Sequence, residues 1–233
     1  SEMCIRDRQR KEFVRVYDSE VLRNPYELKD EPPRAETICL SEEQQKAYDD
    51  ILSLYLKGEG GVSLLYGVTG SGKTSVYLSL IDKVLSMGKN VIVMVPEISL
   101  TPQTLNLFHK RYGSKTAVFH SALSVGQRAD EWKRVKNGEA KIVIGTRSAV
   151  FAPLQNIGMI IIDEEQEHTY KSEQAPRYDT KDVARFRCAA NKSVLLLASA
   201  TPSIETYAAA KSGRYKLCTL TKRYAQAQLP TVK

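Results

Sequence analysis

The stretch Leu64-Leu65-Tyr66-Gly67-Val68-Thr69-Gly70-Ser71-Gly72-Lys73-Thr74 decides the fold of this chain. An apolar strand runs into a glycine-rich turn, and the Lys-Thr pair that follows opens a helix. The spacing G-x-x-x-x-G-K-T is that of a loop whose backbone N–H groups surround phosphate oxygens at the positive end of a helix. We expect Gly67, Gly70 and Gly72 to adopt positive φ angles in this phosphate loop (residues 67–74).

The same spacing predicts a role for each residue of the phosphate loop. Lys73 would reach the β- and γ-phosphates of a nucleotide, and the Thr74 hydroxyl would bind Mg²⁺. The backbone cradle would be formed by Gly67, Val68, Thr69, Gly70, Ser71 and Gly72. A flexible Gly/Ser turn with a surface lysine is the alternative. It is disfavoured because the motif lies between a strand and a helix, which is the context it requires.

A pair of catalytic carboxylates is predicted at the end of a second buried strand. Residues 159–162 are Met-Ile-Ile-Ile, and Asp163, Glu164 and Glu165 follow. The carboxyl ends of parallel strands form the edge where open α/β sheets bind ligands. Asp163 would hold Mg²⁺ directly or through water, and Glu164 would position and deprotonate an attacking water. A solvated acidic loop is the alternative, and the upstream phosphate loop argues against it.

Alternation of two residue patterns predicts an α/β fold with a mostly parallel sheet and helices on both of its faces. Ser41 with Gln44 is the signature of a helix start. A helix is predicted from Lys73 to Met87, before Gly88. Further strands are predicted from the apolar runs at 91–95, 116–119, 141–144, 159–162 and 194–197. Further helices are predicted from the amphipathic stretches at 102–112, 125–136 and 180–190.

Composition narrows the class of protein. The chain has 233 residues, 42% of them hydrophobic, which suits a protein with a real core. No apolar run approaches the roughly 20 residues that span a bilayer, and the charged N-terminus is not a signal peptide, so we expect a cytoplasmic protein without a membrane partner. Four cysteines without a C-x-x-C pair indicate neither zinc nor disulfides. A net charge of +7 suggests a polyanionic partner.

The first 36 residues do not fit the alternating pattern. Residues 1–8 have neither helical nor strand periodicity, and we interpret them as a non-native lead-in. Residues 9–36 are charged and close in Asp-Glu-Pro-Pro-Arg, which is typical of the tail of an upstream domain followed by a linker.

Five segments together resemble the ordered motifs of superfamily 2 helicases, and most closely the bacterial replication-restart (primosomal) helicases. They are residues 67–74, 95–103 (Val-Pro-Glu-Ile-Ser-Leu-Thr-Pro-Gln), 144–153 (Ile-Gly-Thr-Arg-Ser-Ala-Val-Phe-Ala-Pro), 163–165 and 199–203 (Ser-Ala-Thr-Pro-Ser). The resemblance implies a RecA-like first helicase lobe over residues 37–220, ATP hydrolysis with Mg²⁺ and no zinc in this piece. It implies single-stranded or forked DNA and other primosome proteins as partners. It also identifies Gln44 as an adenine-recognising glutamine.

The resemblance also implies which residues contact DNA. The segments after the second and fourth strands supply Thr101, Gln103, Thr146, Arg147 and Ser148. Residues 168–178 resemble an aromatic-rich loop that links DNA binding to hydrolysis, here called the aromatic loop. In it Tyr170 and Tyr178 would stack on bases, while Lys171 and Arg177 would meet phosphates. The alternatives are a surface or helix-capping Arg147 and an exposed polar loop with incidental tyrosines.

Coupling between nucleotide and DNA is assigned to a third group of residues. Gln166 stands where the family usually has histidine, and it keeps a donor and an acceptor but cannot become cationic. Coupling through a hydrogen bond could therefore survive, whereas coupling through protonation could not. Ser199 and Thr201 would hydrogen-bond to the carboxylates and sense the γ-phosphate, although a simple helix cap is the alternative.

The two ends of the chain lead us to expect a fragment. Residues 9–36 resemble the end of a winged-helix domain, and residues 221–233 resemble an exit segment toward a second lobe that the sequence lacks. Hydrolysis by this piece alone should be weak or absent. A DNA-binding or interaction module with a vestigial nucleotide pocket is the alternative function. A small-molecule kinase is disfavoured because the Ser-Ala-Thr and Thr-Arg-Ser-Ala segments do not belong to such enzymes.

Overall fold

Seven parallel strands form one sheet in the computed structural model, which describes residues 37–223. The strands are β1 (Gly61–Gly67), β2 (Asn90–Met94), β3 (Thr116–Phe119), β4 (Ile142–Gly145), β5 (Ile157–Ile162), β6 (Val194–Ser199) and β7 (Lys216–Leu220). The helices are α1 (Glu42–Leu56), α2 (Lys73–Ser86), α3 (Pro102–Tyr112), α4 (Val125–Lys136), α5 (Thr180–Asn191) and α6 (Ile204–Lys211). The interpretations of residues 1–8, 9–36 and 224–233 lie outside the described residues.

The strand order β3-β4-β2-β5-β6-β1-β7 places the two predicted site strands near one another. A single strand, β6, separates β1 from β5. Ile162 of β5 pairs with Leu197 of β6, and Tyr66 of β1 pairs with Ser199. Because all of these pairings are parallel, the carboxyl ends of the three strands meet at the same edge of the sheet.

The core consists of two apolar layers, one on each face of the sheet. Leu65, Val93 and Ile161 belong to one layer, and the residues that precede them, Leu64, Ile92 and Ile160, belong to the other. Successive side chains of a strand point to opposite faces, so a strand covered on both faces is apolar at every position. This explains the unbroken apolar runs, and it confirms the predicted α/β parallel sheet.

Local capping signals fix the helix starts. Ser41 and Gln44 form both hydrogen bonds of a capping box at α1, and Ser124 with Gln127 does the same at α4. Thr101 caps α3, with proline in its first turn. The bounds predicted for α3 and α4 are those of the structure, and α2 ends one residue before the predicted Met87.

Strand β7 had no counterpart among the predicted strands, and α6 was indicated only by the helix-cap alternative for Ser199 and Thr201, whereas its cap is Ser203. Helix α6 and strand β7 follow β6, and β7 pairs with β1 at the edge of the sheet. Only Cys218 and Leu220 of β7 are buried, so its apolar signal is short. Beyond β7, the backbone N–H groups of Thr221 and Lys222 donate to the carboxylate of Glu43 in α1.

Candidate nucleotide site and DNA face

The phosphate loop has the predicted curl, with one difference. Gly70 and Gly72 have φ angles of +80° and +82°. The prediction of a positive φ is wrong for Gly67, which is not among the residues with positive φ. Glycine is needed there for space, because a Cβ atom would lie 2.7 Å from Ser71 Oγ and 2.9 Å from Leu220 Cβ.

The Lys73 side chain folds back onto the first residues of the phosphate loop. Its Nζ donates to the carbonyl oxygens of Gly67 at 2.7 Å and Val68 at 3.4 Å, and only 8% of the residue is exposed. Ser71 Oγ is buried beside it without a hydrogen-bond partner among the described residues. A buried hydroxyl without a partner, in a loop at a helix start, fits an anionic ligand with acceptor oxygens. The residues present therefore fit a phosphate group.

Gln44 attaches helix α1 to the phosphate loop. Its Oε1 accepts from the backbone N–H of Ser41 at 2.9 Å, and its Nε2 donates to the carbonyl oxygen of Ser71 at 2.9 Å. The side chain is 2% exposed. Gln44 thus lies against the loop, where an adenine-side residue is expected, but both ends of its amide have protein partners. Its adenine contact stays a prediction.

The carboxylate turn (residues 163–166) begins where β5 ends. The N–H of Glu164 donates to Asp163 Oδ1 at 3.0 Å, and Glu164 itself has a φ of +46°. Across the cleft, Tyr77 OH lies 3.5 Å from Asp163 Oδ2. Burial, reinforced by the negative charge of Glu164, raises the pKa of Asp163 to about 6. A nearby cation would favour the ionised form of this carboxyl group.

Thr74 and Asp163 lie on one cleft although they are far apart in sequence. The cleft has a volume of about 310 Å³, and Tyr77 and Gln103 also line it. Within residues 37–223, no group of three or more His, Cys, Asp or Glu residues could hold a metal ion. Mg²⁺ commonly takes one or two carboxylates and completes its shell with water and phosphate oxygens. The hydroxyl and carboxylate of this cleft suit that mode of binding.

Gln166 connects the carboxylate turn to the end of β6. Its Nε2 donates to Glu164 Oε2 at 3.0 Å, and its Oε1 accepts from Ser199 Oγ at 2.6 Å. Ser199 Oγ in turn accepts from the backbone N–H of Thr201 at 2.9 Å. The donor and the acceptor of the glutamine are both used, so the residues assigned to coupling form one hydrogen-bonded chain.

The first group of predicted DNA contacts is divided between two sites. Gln103 lines the nucleotide cleft with Asp163, whereas Thr146 and Arg147 line a separate pocket of about 90 Å³. Arg147 donates from Nη1 to the carbonyl oxygen of Lys171 at 3.1 Å, and Ser148 beside it is exposed. Thr101 uses its hydroxyl as the cap of α3, accepting from the N–H of Thr104 at 3.3 Å.

The aromatic loop differs from its prediction at one tyrosine. Tyr170 was expected to stack on bases, but its ring is 1% exposed and its OH donates to the carbonyl oxygen of Asp163 at 2.7 Å. That prediction is wrong, because the ring fills the core beneath the carboxylate turn. Tyr178 is half-buried and packs edge-to-face on Phe151, with ring centroids 4.9 Å apart. Lys171 and Arg177 are exposed.

The sequence patterns missed several residues that hold this site together. Tyr77 contacts Asp163 from α2, and Glu165 is buried with Lys181, Ser203 and Thr206 around it. Glu165 stands in an acidic triplet whose first member, Asp163, lines the cleft, so its residue type gave no sign of burial. Lys181 and Thr206 carry no local signal either, because their partner lies more than a dozen residues away in the chain.

A glycine-rich loop after β1 and paired carboxylates after β5, on one edge of a parallel sheet, are features of an α/β lobe of the P-loop, RecA-like type. The DEAD/DEAH box helicase family model matches residues 41–210. The chain belongs to the DEAD/DEAH box helicase family.

Relatives in sequence are replication restart proteins. The chain is 48% identical over 213 residues to the replication restart protein PriA of Bacillus subtilis, an alignment that covers 91% of this chain and 26% of that protein. It is 45% identical over 201 residues to the PriA protein of Treponema pallidum, which covers 86% and 30% respectively. These matches confirm the predicted resemblance. The chain thus spans between a quarter and a third of the length of these relatives.

Two solved structures resemble the fold. RecG bound to a three-way DNA junction has a TM-score of 0.62 at 22% identity, over 83% of this chain and 25% of RecG. The helicase domain of Pyrococcus furiosus Hef has a TM-score of 0.57 at 17% identity, over 78% and 38%. These likenesses support the RecA-like α/β fold. Between residues 37 and 223, no helix is long and apolar enough to cross a bilayer; the cytoplasmic location stays a prediction.

Proposed function

We propose that this chain is the ATP-binding first lobe, residues 37–220, of an ATP-dependent DNA helicase that acts in replication restart. One observation carries the proposal: Thr74 of the phosphate loop and Asp163 of the carboxylate turn line the same cleft. The PriA relatives support the role in restart, and the likeness to RecG, a protein solved on a DNA junction, agrees with a DNA-directed motor.

The chemistry follows from the positions of the side chains. Lys73 would move from the Gly67 and Val68 carbonyls onto the phosphates, and Thr74 with Asp163 would hold Mg²⁺. A bound Mg²⁺ supplies charge neutralisation on the phosphates. Glu164 would orient the attacking water and accept its proton.

DNA would bind on the edge formed by the aromatic loop and the segment after β4. Lys171 and Arg177 would meet phosphates, Tyr178 with Phe151 would offer an aromatic surface, and Arg147 would add a guanidinium group. Thr146 and Ser148 border this edge. Thr101 and Gln103 would meet DNA from beside it, since Thr101 caps α3 and Gln103 lines the cleft of Thr74 and Asp163. Other primosome proteins are partners by family resemblance.

A lysine pair on helix α2 tests the nucleotide site. Lys73→Ala should weaken the binding of a fluorescent ATP analogue with Mg²⁺ by about 100-fold or more, because a charged contact to phosphate is lost. Lys83→Ala, an exposed lysine in the last turn of the same helix, removes the same charge and should leave the affinity unchanged. Equal affinities for the two variants would contradict the assignment.

A DNA-binding or interaction module with a vestigial pocket is the second candidate. It is favoured by the hydrogen bonds that Lys73 Nζ and the Gln44 amide already make with protein carbonyl and N–H groups. Single-strand affinity measured with and without ATP, in the wild type and in Glu164→Gln, separates the two. Affinity that ignores both ATP and the substitution would favour the module; affinity that responds to ATP supports the motor lobe.

A further inference from the structure

Glu165 is a buried carboxylate on which several elements converge. Its side chain has no exposed surface. Oε1 accepts from the backbone N–H of Ser203 at 2.7 Å. Oε2 accepts from Lys181 Nζ at 2.8 Å, from Thr206 Oγ1 at 3.0 Å and from Ser203 Oγ at 3.2 Å. Because this buried carboxylate is paired with a cation and accepts several further hydrogen bonds, its position is tightly fixed.

The partners of Glu165 belong to three different elements at the carboxyl edge of the sheet. Lys181 lies in the first turn of α5. Ser203 caps α6 and Thr206 lies in its first turn. The backbone N–H of Glu165 donates to the carbonyl oxygen of Ala198 in β6 at 3.1 Å. Glu165 therefore fixes the carboxylate turn against α5, α6 and β6 at the same time.

The aromatic loop is attached to the carboxylate turn near its start, and the helix that follows the loop is attached to the same turn. Where the loop begins, Tyr170 OH donates to the carbonyl oxygen of Asp163 at 2.7 Å. Just beyond the loop, in the first turn of α5, Lys181 donates to Glu165. The start of α5 is joined to the start of the loop by a hydrogen bond from Thr180 Oγ1 to the carbonyl oxygen of Tyr170 at 2.7 Å. A displacement of the loop thus acts on residues on either side of Glu164.

We infer that Glu165 and Lys181 are positioning residues that hold Glu164 and Asp163 in place, and that the Lys181–Glu165 ion pair carries the state of the aromatic loop to those carboxylates. The inference rests on the proposed nucleotide-binding function. Neither residue lines the cleft that holds Thr74 and Asp163, so both act through their neighbours. Glu164 has a φ of +46°, and a residue stays in that sparsely populated region only where its surroundings hold it.

Three substitutions on helix α5 test the ion pair. Lys181→Met removes the cation and keeps the aliphatic stem, and Lys181→Arg restores a charged donor. Arg185→Met is the matched control, because it breaks the exposed ion pair of Arg185 with Asp182 on the same helix. Amide hydrogen exchange is measured for residues 163–167 and 171–179. The affinity for a fluorescent ATP analogue is measured with Mg²⁺ and with EDTA, well below the unfolding temperature of each variant.

Lys181→Met should speed exchange about tenfold in both segments while strands β1 and β2 keep their protection. The gain in analogue affinity that Mg²⁺ provides should fall about tenfold, as when an outer partner of a metal ligand is lost, and affinity in EDTA should hold. Lys181→Arg should recover both properties, and Arg185→Met should change neither. If Lys181→Met does not fold, Glu165→Gln, which keeps an acceptor for Ser203, should give the same two changes.

The outcomes distinguish the inference from the proposed function. A wild-type chain that does not bind the analogue contradicts the proposed function, and the inference falls with it. A wild type that binds with a clear Mg²⁺ gain, beside a folded Lys181→Met or Glu165→Gln variant with unchanged exchange and unchanged gain, overturns the inference alone. Faster exchange spread evenly over the whole variant would show a merely structural role, and that also overturns it.

Discussion

Gln166 occupies the position where the family usually has a histidine, and its residue type decides how the carboxylate turn is connected to β6. Its amide donates to Glu164 and accepts from Ser199, so both of its functions are used without any change of charge. Because the neutral amide is bonded to both sides, a movement at the end of β6 can shift the carboxylate turn through these hydrogen bonds alone. Coupling in this chain should therefore not depend on protonation at position 166.

Asp163→Asn should stabilise the protein in a pH-dependent way. The pKa of Asp163 is raised to about 6 in the folded protein by burial, so ionising it opposes folding at neutral pH. The free energy of unfolding of the variant should exceed that of the wild type by about 3 kcal/mol at pH 7.5, since each unit of pKa shift corresponds to about 1.4 kcal/mol. The difference should shrink as pH falls from 6 to 4 and should vanish below about 3.8, where the wild-type carboxyl group is protonated in both the folded and the unfolded state. Urea unfolding at several pH values measures this, and a difference that is constant with pH would contradict it.

Tyr170→Phe should destabilise the protein by about 1–2 kcal/mol, because the buried carbonyl oxygen of Asp163 loses its donor. Thermal and urea unfolding measure the loss. Tyr178→Phe is the control, since the Tyr178 ring packs on Phe151 at the half-buried surface.

Single-strand affinity should fall for Tyr178→Ala and stay constant for Tyr170→Phe. A fall for Tyr170→Phe, with stability intact, would restore the base-stacking role.

At the scale of the elements, the carboxyl end of β4 packs closely against the end of β3, next to the candidate DNA-binding edge. A Cβ atom on Gly145 would lie 2.1 Å from the carbonyl oxygen of Phe119 in β3 and 2.9 Å from Ala149 Cβ. The N–H of Thr146 donates to the same Phe119 oxygen at 3.0 Å. The glycine therefore allows the contact that places Thr146 and Arg147 at the carboxyl edge.

Gly145→Ala should cost about 3 kcal/mol of unfolding free energy, because backbone atoms of β3 cannot move aside without breaking the ladder. Gly138→Ala is a useful comparison. Its φ is +77° but a Cβ there would meet nothing closer than 3.9 Å, so the cost should be the smaller one of a left-handed backbone alone, about 1 kcal/mol. Urea unfolding of both variants measures these losses of unfolding free energy. Equal losses for Gly145→Ala and Gly138→Ala would contradict the steric explanation.

At the scale of the whole molecule, the positive net charge and the position of the exposed cations both bear on the binding of a polyanion such as DNA. The net charge is +7, and the aromatic loop contributes exposed Lys171 and Arg177 at the edge where the site lies. A polyanion would be attracted to the whole surface, but counterions are released only where cations meet phosphates.

Lys171→Ala with Arg177→Ala should lower single-strand affinity and reduce the slope of log affinity against log salt by about 1.4, the value for two phosphate contacts. Lys57→Ala with Lys83→Ala removes the same net charge from exposed positions at the ends of α1 and α2. The slope of that control should stay close to the wild-type slope. Fluorescence anisotropy over a range of salt concentrations measures both. Equal changes in the two double variants would mean that net charge alone drives binding.

The sequence by itself determined the parallel α/β fold, the bounds of α3 and α4, and the positive φ angles of Gly70 and Gly72 in the phosphate loop, but not the φ of Gly67. Each of these depends on signals within a few residues: capping pairs, apolar runs, and a glycine spacing that lies between a strand and a helix. Such signals are local, so they can be recognised before any tertiary contact is known.

Only the tertiary structure decided which polar residues face the cleft and which lie beneath it. Tyr170 is buried under Asp163, Glu165 turns away from its two acidic neighbours, and Gln103 faces the nucleotide cleft. The physical reason is that the side of a turn on which a side chain lies depends on elements that arrive later in the chain. For Glu165 those elements are α5 and α6, whose Lys181, Ser203 and Thr206 make burial of the carboxylate possible.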